Sequence, residues 1–405
     1  MFSSIGRKPM PREPGSLMNA LLDRGVTRRD FLKFCSAMAA TLALPPRYEI
    51  RIAQALETAA RPPLIWLEYQ DCAGNTESLL RASKPTVADL VLDVLSVDYH
   101  ETIMAAAGHQ AEAAREATMK AHQGNYLVVV EGSIPVNDGG IYCCIAGRTA
   151  LDLVREVCAG ASAVIAAGTC ATFGGLPAAS PNPTGARSVS DVVKGVPIIN
   201  LPACPMNVEN LTAVITHYLT FGSWPATDQF KRPLFAYGSR IHDDCERRAH
   251  FDAGQFVEEW SDDGHRKGWC LYKMGCKGPQ TFHNCPIVRW NEQTSWPIGA
   301  GHGCVGCSEP GFWDTMTPFY ERLPDVPGVG IPVQTVGVGV VAGVSAMFAA
   351  HGVLSAIRAK AQPLHRPQAE VEAVDISEPQ EPPRPTGQPT VADTGAEAPE
   401  KEGES

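Results

Sequence analysis

Thirteen cysteines stand in a chain of 405 residues, an odd number that excludes a framework made only of internal disulfides. Their spacing sorts them. His242-x-x-Cys245 is followed by Cys270 and Cys276, then by Cys285, then by Cys304-x-x-Cys307. Thiolates this close together bind zinc or iron–sulfur clusters, and an imidazole replaces one of them in some sites. Zinc asks for closed sets of four, which His242, Cys245, Cys270 and Cys276 would fill. Cys285, Cys304 and Cys307 make three, awkward for structural zinc and natural for a three-iron cluster. Six of the thirteen cysteines fall within residues 242–307, where even spreading would put about two. Earlier in the chain, Cys72, Cys170 and Cys204 each sit in a turn of small or cyclic residues: Asp71-Cys72-Ala73-Gly74, Gly168-Thr169-Cys170-Ala171 and Pro202-Ala203-Cys204-Pro205. Cys143 and Cys144 are adjacent in a fourth loop. Cys158, inside a helical pattern, and Cys35 read as small buried hydrophobes.

The elements that would hold these turns alternate. Apolar runs at 64–68, 90–98, 126–131, 163–167 and 197–201 read as strands, and 102–122, 149–159 and 207–221 read as helices. Such alternation predicts a flavodoxin-like or doubly wound parallel sheet, with ligands outside the carboxyl ends of its strands. Cys72, Cys170 and Cys204 follow the first, fourth and fifth of these strands and Cys143 and Cys144 the third, so residues far apart in sequence would meet at one edge. No G-x-G-x-x-G follows the first strand, which leaves no dinucleotide site. From about residue 233 the alternation stops and a loop-rich, cysteine-dense segment begins.

With 44% hydrophobic and 19% charged residues the chain is globular. Its 34 basic and 44 acidic residues give a net charge of −10, which argues against a nucleic-acid partner. Much of that charge sits in residues 361–405, rich in Pro, Glu and Gln, which read as a disordered tail. Adjacent Arg28 and Arg29 before a short apolar stretch form a twin-arginine export signal, placed at 1–55 with Ala53-Gln54-Ala55 as a cleavage form. Residues 331–357 carry no formal charge and are long enough to span a bilayer with some tilt. Arg358 and Lys360 follow at once, which puts the tail on the cytoplasmic side of the inner membrane and the body on the periplasmic side. His351 is a polar residue inside that span.

The motifs together resemble nickel–iron hydrogenase small subunits of the membrane-bound, uptake type. Trp66-Leu67 with Cys72-Ala73-Gly74 and Thr76-Glu77-Ser78 is similar to the opening motif of that family, and the turns at Cys170 and Cys204 match it. So do Ile241-His242-Asp243-Asp244-Cys245, Gly268-Trp269-Cys270, Gly275-Cys276-Lys277-Gly278-Pro279 and Gly301-His302-Gly303-Cys304-Val305-Gly306-Cys307-Ser308-Glu309-Pro310. The resemblance runs from about 61 to 320. It implies a flavodoxin-like domain over 61–232 and an iron–sulfur domain over 233–325, followed by the transmembrane helix. Cys72, Cys170 and Cys204 would hold a proximal 4Fe-4S cluster. Cys285, Cys304 and Cys307 would hold a medial 3Fe-4S cluster, with Pro297 in the place of a fourth ligand. His242, Cys245, Cys270 and Cys276 would hold a distal 4Fe-4S cluster. A separate large subunit would carry the nickel–iron centre, and a cytochrome b partner in the membrane would take the electrons.

One position departs from the family. Where the opening motif has a second cysteine, this chain has Asn75. Three readings follow: an oxygen ligand from Asn75 or from Asp71 or Glu77, a displaced thiolate from Cys143 or Cys144, or a proximal cluster of three irons. The first expectation is that Asn75 faces the cluster, with Cys143 as the alternative. Gly74 and Gly175 stand where some oxygen-tolerant members carry extra cysteines, so that device is expected to be absent. The rival reading is an exported, membrane-tethered structural protein whose cysteines bind zinc or pair oxidatively. A related quinone-reductase protein would share the sheet but lacks the cysteine-rich second half.

Overall fold

The computed structural model describes residues 27–58, 61–82, 95–291, 293–321 and 333–361. The expected linker before the membrane helix, and the expected tail apart from its first residue, lie outside the described residues. Five strands form one parallel sheet: β1 Pro63–Glu68, β2 Ser96–His100, β3 Leu127–Glu131, β4 Ala163–Ala167 and β5 Ile198–Leu201. Their order is β2-β1-β3-β4-β5, the flavodoxin-like winding. The helices, in chain order, are α1 Arg28–Thr41, α2 Tyr48–Thr58, α3 Gly74–Leu80, α4 His109–Ala121, α5 Ala150–Ala159, α6 Gly168–Phe173, α7 Val208–Phe221 and α8 Val333–Ala361, besides shorter turns.

Side chains alternate across the sheet with period two. Leu64, Trp66, Leu127, Val129 and Ile165 face one core, which α7 covers with Leu211, Val214 and Ile215. Ile65, Leu67, Val128, Val130 and Val164 face the other, covered by Leu153, Val154 and Val157 of α5. Central strands β3 and β4 are buried at every position, which is why their sequences are continuous apolar runs.

Two elements differ from their expected places. The second strand lies at Ser96–His100 because its parallel pairing with β1 joins Pro63 to Ser96 and Trp66 to His100, which brings its carboxyl end level with the others. The following helix starts at His109, not 102. Glu101 and Thr102 are used instead at the sheet edge: Glu68 N–H donates to Glu101 Oε2 at 3.0 Å and Thr102 Oγ1 donates to Glu68.

The segment assigned to a leader begins outside the described residues and then forms α1 and α2. Phe31, Cys35, Met38, Ile52, Ala53 and Leu56 are buried in the same core as α7. Arg51 lies over the Phe221 ring at 4.9 Å.

Among the described residues, no helix from Leu234 to Thr315 exceeds five residues. A small core of Ile241, Val257, Leu271, Met274, Trp296 and Ile298 includes Cys285 and Cys304. Buried polar groups bind this half to the sheet half. Asn210 and Asn284 exchange amide hydrogen bonds of 3.0 and 2.9 Å. Arg232, almost fully buried, reaches Asp228 at 2.7 Å, Glu309 at 3.0 Å and the Ser308 carbonyl at 3.1 Å. The chain up to Gly330 is one compact unit, and residues 331–405 are a second. In the second, α8 is 29 residues long. Its stretch Gly339–Arg358, with mean hydropathy 1.8, is long and apolar enough to cross a membrane.

Candidate metal centres

At the carboxyl ends of β1 and β5 turns carry Cys72 and Cys204, and at that of β4 the expected turn is the start of α6, which carries Cys170. Cys72 and Cys204 are exposed and Cys170 is half-buried, so this set opens on the surface. Burial pushes the Cys170 thiol up to about 12, and Cys204 and Cys72 act in the same direction. A Cβ added at Gly74 would fall 3.1 Å from Cys72 Sγ, and one at Gly175 would overlap Cys170 Sγ. Both glycines therefore abut the thiols themselves.

Asn75 is the second residue of α3 and 7% exposed. Its Oδ1 accepts from Met206 N–H at 2.8 Å, and its Nδ2 donates to Glu131 Oε1 at 3.1 Å. Glu131, at the end of β3, also accepts from the backbone N–H groups of Asn75 and Thr76 at 2.7 and 3.0 Å. Thr76 Oγ1 and Trp66 Nε1 complete its five donors at 2.7 and 3.2 Å. A carboxylate at a helix start satisfies donors that have no partner within the helix. Asp71, beside Cys72, is pushed up to about 6 by burial and by the charges of Glu131 and Glu68. Cys143 packs against the core over α5, and its ionisable neighbours are Glu101, Cys144 and Asp71.

Cys285, Cys304 and Cys307 converge on a cavity of about 480 Å³, lined also by Trp296, Pro297, Ile298 and, from the first set, Cys204. Burial raises all three thiols, and each is raised further by thiols or acids beside it. Thr169 Oγ1 donates to the Cys307 carbonyl, and Gly306 N–H donates to Cys304 Sγ at 3.3 Å. His283 Nδ1 lies 2.9 Å from Cys285 Sγ, and burial holds its pKa down at about 3.

His242, Cys245, Cys270 and Cys276 line a tighter cavity with Leu271 and Ile298. Arg247 N–H donates to Cys245 Sγ at 3.4 Å, and Cys304 N–H donates to Cys276 Sγ at 3.3 Å. Ile298 lines both this cavity and the previous one. Lys277, nearly fully buried, donates through Nζ to the carbonyls of Pro318 and Glu321 at 3.3 and 2.5 Å.

All thirteen cysteines are free. Thiols drawn together, buried and left unbridged raise one another's pKa, an arrangement that a cationic metal cluster relieves and a plain apolar core does not. The donor sets thus fit iron–sulfur clusters. Sequence reasoning missed Glu131, His283, Lys277 and Arg232. Glu131 alone left a signal, as an acid at the carboxyl end of an apolar strand.

Residues 237–320 match the family described as the C-terminal part of the NiFe/NiFeSe hydrogenase small subunit, and residues 72–218 match NADH ubiquinone oxidoreductase, 20 Kd subunit. The uptake hydrogenase small subunit of Azotobacter vinelandii is 51% identical over 83% of this chain and 94% of that protein. The quinone-reactive Ni/Fe-hydrogenase small chain of Wolinella succinogenes is 46% identical over 83% of this chain and 97% of its own. Among solved structures, a nickel–iron–selenium hydrogenase chain from Desulfomicrobium baculatum superimposes with a TM-score of 0.61 at 34% identity, over 65% of this chain and all of that one. The chain belongs to the nickel–iron hydrogenase small subunits. It is the electron-transfer subunit of an oxidoreductase and pairs with a separate large subunit.

Proposed function

We propose that this chain relays electrons from hydrogen oxidation in the large subunit through three iron–sulfur clusters to a membrane cytochrome b or quinone partner. Cys72, Cys170 and Cys204 hold the proximal cluster. Cys285, Cys304 and Cys307 hold a medial three-iron cluster, and His242, Cys245, Cys270 and Cys276 hold the distal one. When bound, such clusters take up and release electrons one at a time. The residues fix where each cluster sits, keep water from the medial set around buried Cys285 and Cys304, and donate N–H groups to sulfur, the interactions that set reduction potential. The observation that carries the reading is contiguity. Cys204 and Cys307 line one cavity, and the amide of Cys304 bonds the thiol of Cys276 at 3.3 Å, so the three sets abut in series.

The quinone-reactive relative and the apolar α8 support a membrane-bound uptake role. In this reading residues 1–55 are a twin-arginine leader, the body is periplasmic, α8 spans the inner membrane, and the tail is cytoplasmic. The test is electron paramagnetic resonance on the complex solubilised from membranes. Oxidised, it is expected to show a near-isotropic three-iron signal, which hydrogen removes as four-iron signals appear. A spectrum without iron–sulfur signals in intact complex would sink the assignment. The purified chain alone is expected to show no hydrogen-dependent dye reduction.

A further inference from the structure

We propose that Asn75 is a positioning residue for the proximal site, a clasp across the turns that carry Cys72, Cys170 and Cys204, and not an iron ligand. This rests on the assignment of a cluster to those three thiols. Both ends of its side-chain amide and its backbone N–H are already engaged inside the protein. Oδ1 takes the N–H of Met206, two residues beyond Cys204, while Nδ2 and the backbone N–H both go to Glu131. The amide lies flat on Gly168, two residues before Cys170, so closely that a Cβ there would overlap Oδ1. Ser78 adds a second tie from the same helix, its Oγ donating to the Met206 carbonyl at 2.8 Å. One side chain therefore joins the helix after Cys72, the turn before Cys170, the turn after Cys204 and the end of β3.

An amide with both ends so engaged, at 7% exposure, would have to break buried hydrogen bonds to reach iron, which leaves their partners unsatisfied. The three thiolates then leave the cluster's fourth corner without a thiolate. An iron at that corner is the first lost on oxidation. A four-iron core of charge +2 gives one electron to ferricyanide, releases one Fe2+ to solvent, and leaves a three-iron core of charge +1.

The test uses the whole complex and reads iron content and the quantified three-iron signal. After ferricyanide the unmodified complex is expected to carry about two three-iron spins, the medial one and a proximal one. Asn75→Asp sets a carboxylate against that of Glu131, so loss of the fourth iron is expected to be about tenfold faster. Adding Glu131→Gln removes the facing carboxylate but also one acceptor of the backbone N–H groups at the helix start, so it is expected to recover part of that increase, leaving the rate between those of Asn75→Asp and the unmodified complex. An iron-binding Asn75 predicts the opposite sign. Aspartate, the better oxygen ligand, would then slow the loss and Glu131→Gln would leave it unchanged, which overturns the clasp. Should Asn75→Asp fail to assemble, assembly of the double variant supports the clasp, and failure of the double variant while Glu131→Gln alone assembles overturns it. A spin count fixed at one in the unmodified complex also overturns it. Absence of every iron–sulfur signal would instead remove the cluster assignment on which it stands.

Discussion

Arg232→Met tests what fastens the iron–sulfur half to the sheet half. The guanidinium meets Asp228, Glu309 and the Ser308 carbonyl at 2.7, 3.0 and 3.1 Å with its own side chain 4% exposed. Removing one member of a buried ion pair costs about 3–5 kcal/mol, because the partner charge stays behind. Here the lower end applies. Glu309 Oε1 keeps the Phe282 N–H at 2.7 Å, and Asp228 keeps the Phe230 and Arg232 backbone N–H groups at 2.8 and 2.9 Å. A loss of about 3 kcal/mol raises the population of a locally opened state about a hundredfold. The opening should centre on Ser308 and Glu309, next to Cys307, since that is where the lost bonds ended. Hydrogen exchange followed by mass spectrometry on the complex would read it, with peptides covering residues 280–312 expected to exchange about a hundredfold faster. Glu309→Gln added to Arg232→Met should recover part of the loss by removing one stranded charge. Exchange in that segment unchanged within about threefold would show that Arg232 does not fasten it, as would acceleration spread evenly over the sheet.

Two other perturbations have defined directions. Burial pushes the Glu101 carboxyl from its ordinary 4.5 up to about 8. Between those pH values the folded chain keeps a proton that the unfolded chain has lost, so this group's contribution to stability falls as pH rises. Glu101→Gln should flatten the fall and raise the melting temperature above pH 8, read from melting curves of the complex at pH 5 to 9. Lys277→Met removes a buried cation that interacts with Cys276 and Cys304, and should lower the distal and medial midpoint potentials by some tens of millivolts in a redox titration. Potentials that stay put would show that its ammonium is screened from both sites.

Much of the fold was legible because parallel strands buried on both faces leave uninterrupted apolar runs. The runs at 163–167 and 197–201 became β4 and β5 within a residue of their expected bounds, and their turns delivered Cys170 and Cys204 to one edge. The second strand was misplaced because an apolar run does not state its register; pairing with Pro63–Trp66 decided it. The helix at 102–122 was overextended because Glu101 and Thr102 serve the Glu68 edge, a long-range use without local signature. Spacing alone suggested sorting the second-half ligands into His242 with three cysteines and a further three cysteines. What spacing could not give was the inward turn of Asn75. Its partners, Glu131 and Met206, stand 56 and 131 residues away. The burial of Phe31, Met38 and Ile52 was hidden for a similar reason, since an apolar stretch reads the same whether it meets a membrane or the chain's own core.

The three thiol sets differ in how long they wait to be completed during synthesis. The distal ligands fall within residues 242–276 and the medial within 285–307, so each set leaves the ribosome within a few seconds at roughly 5–20 residues per second. Cys72 must wait for Cys204, roughly 130 residues later, which at the same pace is about 7–26 s. Over that interval Cys72 stands first alone, then with the Glu131 seat that orders the helix after it, and from residue 170 onward beside Cys170, always without the closing Cys204. A nascent thiol in that position is open to adventitious metal and to oxidants while the later sites never are for long. The strand order that gathers distant turns at one sheet edge thus makes the proximal site the slowest to close and the one most in need of protection before the polypeptide is finished.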